Sequence, residues 1–194
     1  MKIENEIPLV PLKDIAIIQK GVWITKKIKE TYSLEYLEEK YGIKKNDVVI
    51  SRTMYTSGKK NAFVVNDTNI GLIPSGLSLI IRPNTEILNS LYLKAVLEFL
   101  PLDRVIKELK IKNKKKFLSV RKFQKLKIPL PKLDYQISLS SEYDNVRKED
   151  LANWYITPTL EQYYSLRKFL SKCYYGTKVT YFKRIGVNNY ERSN

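Results

Sequence analysis

Apolar positions come in short runs separated by turn residues as far as Pro83, and at helical spacing beyond it. Leu12, Ile15, Ile17 and Ile18 follow Pro8 and Pro11 and predict one opening strand from Val10 to Gln19, with Gly21-Val22-Trp23 as a turn after it. Ser33 can cap a short helix to Tyr41: Glu35 lies in its first turn, Leu34 and Leu37 share a face, and Gly42 stops it. Asp47-Val-Val-Ile-Ser-Arg52 reads as a buried strand, Tyr55 to Lys60 as its loop, and Ala62 to Val65 as the return strand. Leu77 to Ile81 is another strand, closed by Arg82-Pro83-Asn84.

The second half reads as helices. Asn89 caps one carrying Leu91, Leu93, Val96, Leu97 and Leu100, stopped by Pro101. Asp103 caps a second with Val105, Ile106 and Leu109, and Ser119 a short third running to about Leu126. Lys127-Ile-Pro-Leu-Pro131 must be extended, because two prolines forbid a helix. A polar helix follows from Asp134 through Glu149. Thr157-Pro158 then starts a helix with Leu166, Phe169, Leu170 and Cys173 on one stripe, ended by Gly176. Lys178 to Ile185 can form a final strand. The expected fold is α+β: a small twisted, mostly antiparallel sheet flanked by helices, then a helical C-terminal segment. The boundary falls between residues 1–133 and 134–194.

The 194 residues and 22.8 kDa suit one domain, or one with an appendage. No apolar run approaches the roughly 20 residues that cross a bilayer, and the first residues lack an apolar signal core. The expectation is a cytoplasmic protein without a membrane partner. One cysteine, Cys173, excludes an internal disulfide framework and a Cys-rich zinc site. The chain has no histidine, which removes histidine-based triads, His-ligated metals and imidazole acid–base chemistry.

Charge changes the picture most. The net charge is +15. Between Arg104 and Lys132 there are twelve Lys/Arg and one acid, Glu108, so this stretch alone carries +11. Uniform compositional bias does not concentrate charge in this way, and a polyanion-facing surface does.

Several enzyme signatures fail. Gly71 to Gly76 has the spacing of a phosphate-binding loop, but Leu77 stands where lysine is required and Pro74 removes an N–H. Glu108-Leu-Lys110 has only Asp103 nearby, on the same basic helix, and reads as a solvated face. Asn66-Asp-Thr68 matches a glycosylation acceptor, which means nothing without export. There is no Gly-rich cofactor turn and no Asn/Asp-Pro-Pro-aromatic loop, and no base is inferred beside Ser51, Cys173 or the tyrosines. No cofactor, metal or catalytic residue is expected.

The order of features resembles the target-recognition domain of type I restriction-modification specificity subunits. The matching pieces begin with Val10-Pro-Leu-Lys-Asp-Ile-Ala16 and Lys45-Asn-Asp47-Val-Val-Ile-Ser-Arg52, the latter followed by Gly58. Ile73-Pro-Ser-Gly76, Leu79-Ile-Ile-Arg82-Pro83 and Ser90-Leu-Tyr-Leu93 come next. The most specific is last: Phe117-Leu-Ser119, then Phe123-Gln-Lys-Leu126-Lys-Ile128-Pro-Leu-Pro131, then Gln136. The match spans roughly residues 8 to 149. Lys132 replaces a proline of the family pattern, Asp134-Tyr135 replace the usual residues before Gln136, and Lys114 to Lys116 stand where a glycine precedes Leu118. The family carries two such domains in a chain, joined by long helices; here there is one.

The resemblance implies a DNA target-recognition domain at 1–133 and a helical connector with a C-terminal extension at 134–194. It implies a non-catalytic specificity component whose partners are double-stranded DNA, a separate adenine methyltransferase (modification) subunit and a restriction subunit. The residues themselves supply candidates for contact. Arg52, Tyr55, Thr56, Ser57, Lys59, Lys60 and Asn61 are placed to read base edges, arginine pairing with guanine and asparagine with adenine. Lys112, Lys114, Lys115, Lys116, Arg121, Lys122 and Lys125 are candidate phosphate anchors. Arg52 suits a salt bridge across the sheet equally well, and Ile128 to Pro131 is assigned a structural role. Tyr163, Tyr164, Tyr174 and Tyr175 are assigned to packing or a protein interface. Two other functions stay open: a general RNA or single-strand binder, and a decoy that sequesters methyltransferase subunits. The apolar stripe from Leu166 to Cys173 suits either a homodimer contact or the chain's own core.

Overall fold

The computed structural model describes residues 7–53, 62–100, 118–141 and 164–175. The chain opens with β1 (Leu9–Pro11), a 3-10 turn at Leu12–Asp14 and β2 (Ala16–Lys20). Two helices follow, α1 (Lys26–Thr31) and α2 (Leu34–Tyr41). Next come β3 (Val48–Ser51), β4 (Ala62–Val64) and β5 (Ser78–Pro83). Then come α3 (Ser90–Phe99), the single turn α4 (Val120–Phe123) and β6 (Lys127–Pro129). Helix α5 is described over 133–141, and α6 is Tyr164–Tyr175. The fold is α+β, as expected.

Four strands form one antiparallel sheet in the order β2-β5-β3-β4. Alternation sorts its side chains. Val48, Ile50, Leu79, Ile81 and Ile18 face the main core, while Val49 and Ile80 join Ile43 and Val65 on the other face. Both faces are covered, which is why β3 reads as an unbroken apolar run. Helix α3 lies on the main-core face with Tyr92, Leu93, Val96 and Leu97 buried.

The opening strand is two strands. Leu9 to Pro11 pair with β6, and Ala16 to Lys20 pair with β5. Between them Leu12 N–H and Lys13 N–H donate to the carbonyls of Leu126 and Gln124 (2.9 and 3.0 Å), so the chain changes sheets at the 3-10 turn. Leu12 is fully buried there, and its apolar neighbours made the break invisible to periodicity. The segment after β2 is extended and makes no turn: Gly21 N–H donates to Ser78 O, and Val22 N–H to Pro74 O. A side chain at Gly21 would collide with the carbonyl oxygens of Pro74 and Ser75, so only glycine permits this approach. Helix α1 was not expected, because it buries no residue and so carries no apolar stripe; Thr25 caps it.

The caps expected at Ser33, Asn89 and Ser119 accept from Tyr36, Tyr92 and Lys122 N–H respectively. Ile128 to Pro131 is structural: β6 pairs with β1, and Tyr92 Oη donates to Pro129 O (2.8 Å). Asn66 accepts from both N–H and hydroxyl of Thr68, so this triplet is a local turn. The expected Asp103 helix, the rest of the helix to Glu149, the start at Thr157-Pro158, the stop at Gly176 and the strand at 178–185 lie outside the described residues.

The core continues past residue 133. Leu139 of α5 and Leu166, Phe169, Leu170 and Tyr174 of α6 belong to the same apolar cluster as α3 and β3. Phe169 meets the rings of Tyr92 and Tyr135 edge-on, with centroids 6.4 and 5.6 Å apart. Tyr174 Oη donates to Lys127 O (2.9 Å). The α6 stripe is therefore filled from within its own chain, the second of the two uses that sequence left open.

Candidate nucleic-acid interface

The two ends of the β3–β5 ladder are built differently. At the start of β3, Asp47 is fully buried and takes a bidentate pair from Arg82, Nε to Oδ1 (2.8 Å) and Nη2 to Oδ2 (2.7 Å). Lys44 N–H also donates to Asp47 Oδ2 (2.8 Å). Ser90, at the start of α3, donates to Asn46 O (2.7 Å), and Asn46 adopts a positive φ of 70°. Next to this, the fully buried Gln136 closes α5 onto α3. Its Oε1 accepts from Asn89 N–H (2.9 Å), and its Nε2 donates to Ile87 O and Pro131 O (2.8 Å each). Every buried polar group named here has a partner, so this end is a closed structural joint.

At the far end of β3, Arg52 makes the joint with backbone. Its Nε donates to Leu118 O (2.9 Å) and its Nη1 to Gly76 O (3.1 Å). Its own N–H donates to Leu77 O (2.7 Å), and its own carbonyl accepts from Leu118 N–H (2.8 Å). Arg52 thus binds β3, the segment before β5 and the residue at which the second half of the basic stretch begins. Close by in the fold, Ala62 N–H donates to Glu98 Oε1 (2.8 Å), tying the start of β4 to the last turn of α3. These bonds place four points of the chain together: residues 52 and 62, which flank 54–61, and residues 98 and 118, which flank 101–117. The two segments that the sequence singled out for DNA contact, the loop after β3 and the lysine-rich stretch, both spring from this one end of the sheet.

Leu118, Phe123 and Leu126 are buried and fix α4 to the core. The residues between these anchors carry the charge. Arg121 and Lys125 are exposed and Lys122 is half-buried, so α4 presents cations while its apolar residues hold it down. Of the sequence candidates, Arg52, Arg121, Lys122 and Lys125 are described. Arg121 and Lys122 follow Leu118 closely at this end, whereas Lys125 lies between Gln124 and Leu126, whose carbonyls are bonded by Lys13 and Leu12 ahead of β2, towards the other end. Tyr55, Thr56, Ser57, Lys59, Lys60, Asn61, Lys112, Lys114, Lys115 and Lys116 lie outside the described residues.

Two residues at this end had no signal in the pattern. Lys20 is exposed at the end of β2, opposite Leu79. Trp23 is 55% exposed, with its indole lying on Gly76, where a Cβ would collide with Cδ1 and Nε1. Only an aromatic in a stretch with no periodicity could have pointed to it.

No family model and no curated protein matches the chain. Solved structures do. The HsdS subunit from Thermoanaerobacter tengcongensis aligns with a TM-score of 0.52 at 17% identity, over 91% of this chain and 46% of that one. A structure titled for complex assembly and conformational transition of the type I R-M system aligns with 0.52 at 16% identity, over 89% of this chain and 43% of that one. The chain has the fold of an HsdS specificity subunit. It spans less than half the length of these solved chains. The expected target-recognition fold is therefore the one found. Among the described residues, no helix is long and apolar enough to cross a membrane.

Proposed function

We propose that this chain is a non-catalytic, sequence-specific reader of duplex DNA that directs a separate adenine methyltransferase subunit in a type I-like restriction-modification system. One observation carries the reading: Arg52–Leu118 and Ala62–Glu98 root the polar loop and the lysine-rich stretch at one end of an HsdS-like sheet. On this reading Tyr55, Thr56, Ser57, Lys59, Lys60 and Asn61 face base edges. Lys112, Lys114, Lys115, Lys116, Arg121, Lys122 and Lys125 anchor phosphates. Arg52, held by two carbonyls, sets the root of the reading loop and acts on bases through it. The protein works in the cytoplasm with the modification subunit and a restriction subunit. A homodimer through the α6 stripe is no part of the reading, since that stripe is filled from within.

The test is duplex binding against salt. Contact with six or more phosphates lowers affinity by about 10³-fold between 50 and 200 mM salt. Charge reversal at Lys114, Lys115 and Lys116 should weaken all sequences alike, whereas Asn61→Ala should change the preference at one base pair. A flat salt response would remove the reading. Tighter binding to single strands or RNA would replace it with a general nucleic-acid binder. Capture of methyltransferase without duplex binding would make the chain a decoy.

A further inference from the structure

Trp23 is not part of the basic stretch or of the loop, yet the fold builds a seat for it at the Arg52 joint. Gly21 and Val22 are pinned by N–H donation to Ser78 O (3.0 Å) and Pro74 O (2.9 Å), which fixes the backbone entering residue 23. Gly76 then supplies a floor with no side chain, and the indole lies directly on it. The carbonyl of that same Gly76 accepts from Arg52 Nη1, so the floor belongs to the joint that roots the reading loop. The indole is left more than half exposed, and its neighbour Leu77 is also exposed at 39%. A single exposed apolar side chain needs no explanation. A tryptophan seated on a glycine does, because Gly76 has no room for a Cβ beneath a ring that buries only part of itself, and Gly21 closes the backbone leading to that ring onto Pro74 and Ser75.

We infer that Trp23 is a DNA-contacting residue whose indole packs against the sugar and base surface of the bound duplex. The inference rests on the duplex-reading proposal and adds a contact of another kind to it. Lysines and arginines supply charge attraction that weakens with salt, whereas a rigid ring supplies apolar contact area that salt does not screen. The Gly76 floor fixes the plane of the ring before any contact is made.

The experiment uses the full chain with Trp154→Phe, so that Trp23 is the one tryptophan left to excite selectively, and short random-sequence duplex DNA as the probe. Duplex addition should quench the Trp23 emission saturably. Trp23→Ala should weaken duplex binding by about 10-fold, within the range of aromatic–nucleotide contacts. The slope of log affinity against log salt should be unchanged, since no phosphate contact is lost. Gly76→Ala should give a similar loss by lifting the ring, and should add nothing to Trp23→Ala, since the clash is then gone. Melting curves identify any variant that fails to fold; if Trp23→Ala does, Gly76→Ala and the quenching signal carry the test. Equal affinity of folded Trp23→Ala and parent would overturn the inference while leaving the duplex reading intact. So would a reduced salt slope, which would mean that the ring only supports the cationic surface. A parent protein that binds no duplex at all would overturn both.

Discussion

Arg82 and Arg52 sit at opposite ends of one strand ladder and do the same mechanical work with different acceptors. Arg82 gives both arms to a buried carboxylate, within a cluster whose polar groups are satisfied by side chains and backbone. Arg52 gives its donors to two carbonyls of separate chain segments, beside exposed cations and a half-exposed indole. A carboxylate acceptor makes a neutral, self-contained joint. Carbonyl acceptors bring separate segments of main chain together at one point. One end of the sheet serves the fold, and the other presents what the fold carries.

The comparison assumes that one cooperative core joins the two ends, and the largest expected effect tests this. Phe169→Ala removes a buried ring lying between Tyr92 and Tyr135, and should cost about 3–5 kcal/mol in urea unfolding. A loss below about 1 kcal/mol would mean that α6 is not part of that core. Arg82→Met should cost about 3 kcal/mol, because Asp47 would stay buried and keep the Lys44 N–H but lose its guanidinium partner. Duplex affinity of the folded variant should not change; a changed affinity would break the division between the ends. Arg52→Met should cost about 1–2 kcal/mol and should also weaken duplex binding, because Leu118 and the loop root lose their tie. Lost stability with full affinity would reduce Arg52 to a second Arg82.

The smallest effect lies at the edge of the core, at Cys173. Burial pushes its thiol up from 9.0 to about 11. Below pH 9 the thiol is protonated in folded and unfolded chains alike. As pH rises from 9 towards 11 the unfolded chain ionises first, so stability falls over that window. Cys173→Ala should remove this part of the alkaline slope. The buried Tyr92 phenol, held well above 10.0 by burial, should keep a further slope above pH 10. Alkylation of Cys173 at neutral pH should be slow, and a rate equal to that of a free peptide thiol would contradict the burial.

Elements whose burial leaves a period were legible in the sequence. The β3 and β5 runs, the caps at Ser33, Asn89 and Ser119, and the stripe on α6 all write their environment into residue spacing. Helix α1 buries nothing and so left no trace. The break at Leu12 was hidden because the 3-10 turn between the two sheets is itself apolar and buried. The site was legible as two segments and illegible as a place. Nothing in the spacing of Arg52 and Leu118, 66 residues apart, shows that each donates to the other's carbonyl. Arg52 was open to a salt bridge or to base reading, and the structure shows two of its donors on main-chain carbonyls, a third use that sequence did not offer. Trp23 escaped because its partner is a glycine, which has no side chain to form part of a pattern.

Because Leu166, Phe169, Leu170 and Tyr174 close the same cluster that Leu12 and Ile18 open, the domain cannot be finished while it is being made in order. A nascent chain that has reached residue 141 has emitted every described strand of both sheets, but lacks the α6 ring of Phe169 that packs on Tyr92. At about 5–20 residues per second, the segment that covers it leaves the ribosome some seconds later, and later still by the transit time of the exit tunnel. During that interval the flank of Tyr92 is open to any passing apolar helix. The order of synthesis thus gives this protein a brief, obligatory stage in which another chain could take the place of its own α6.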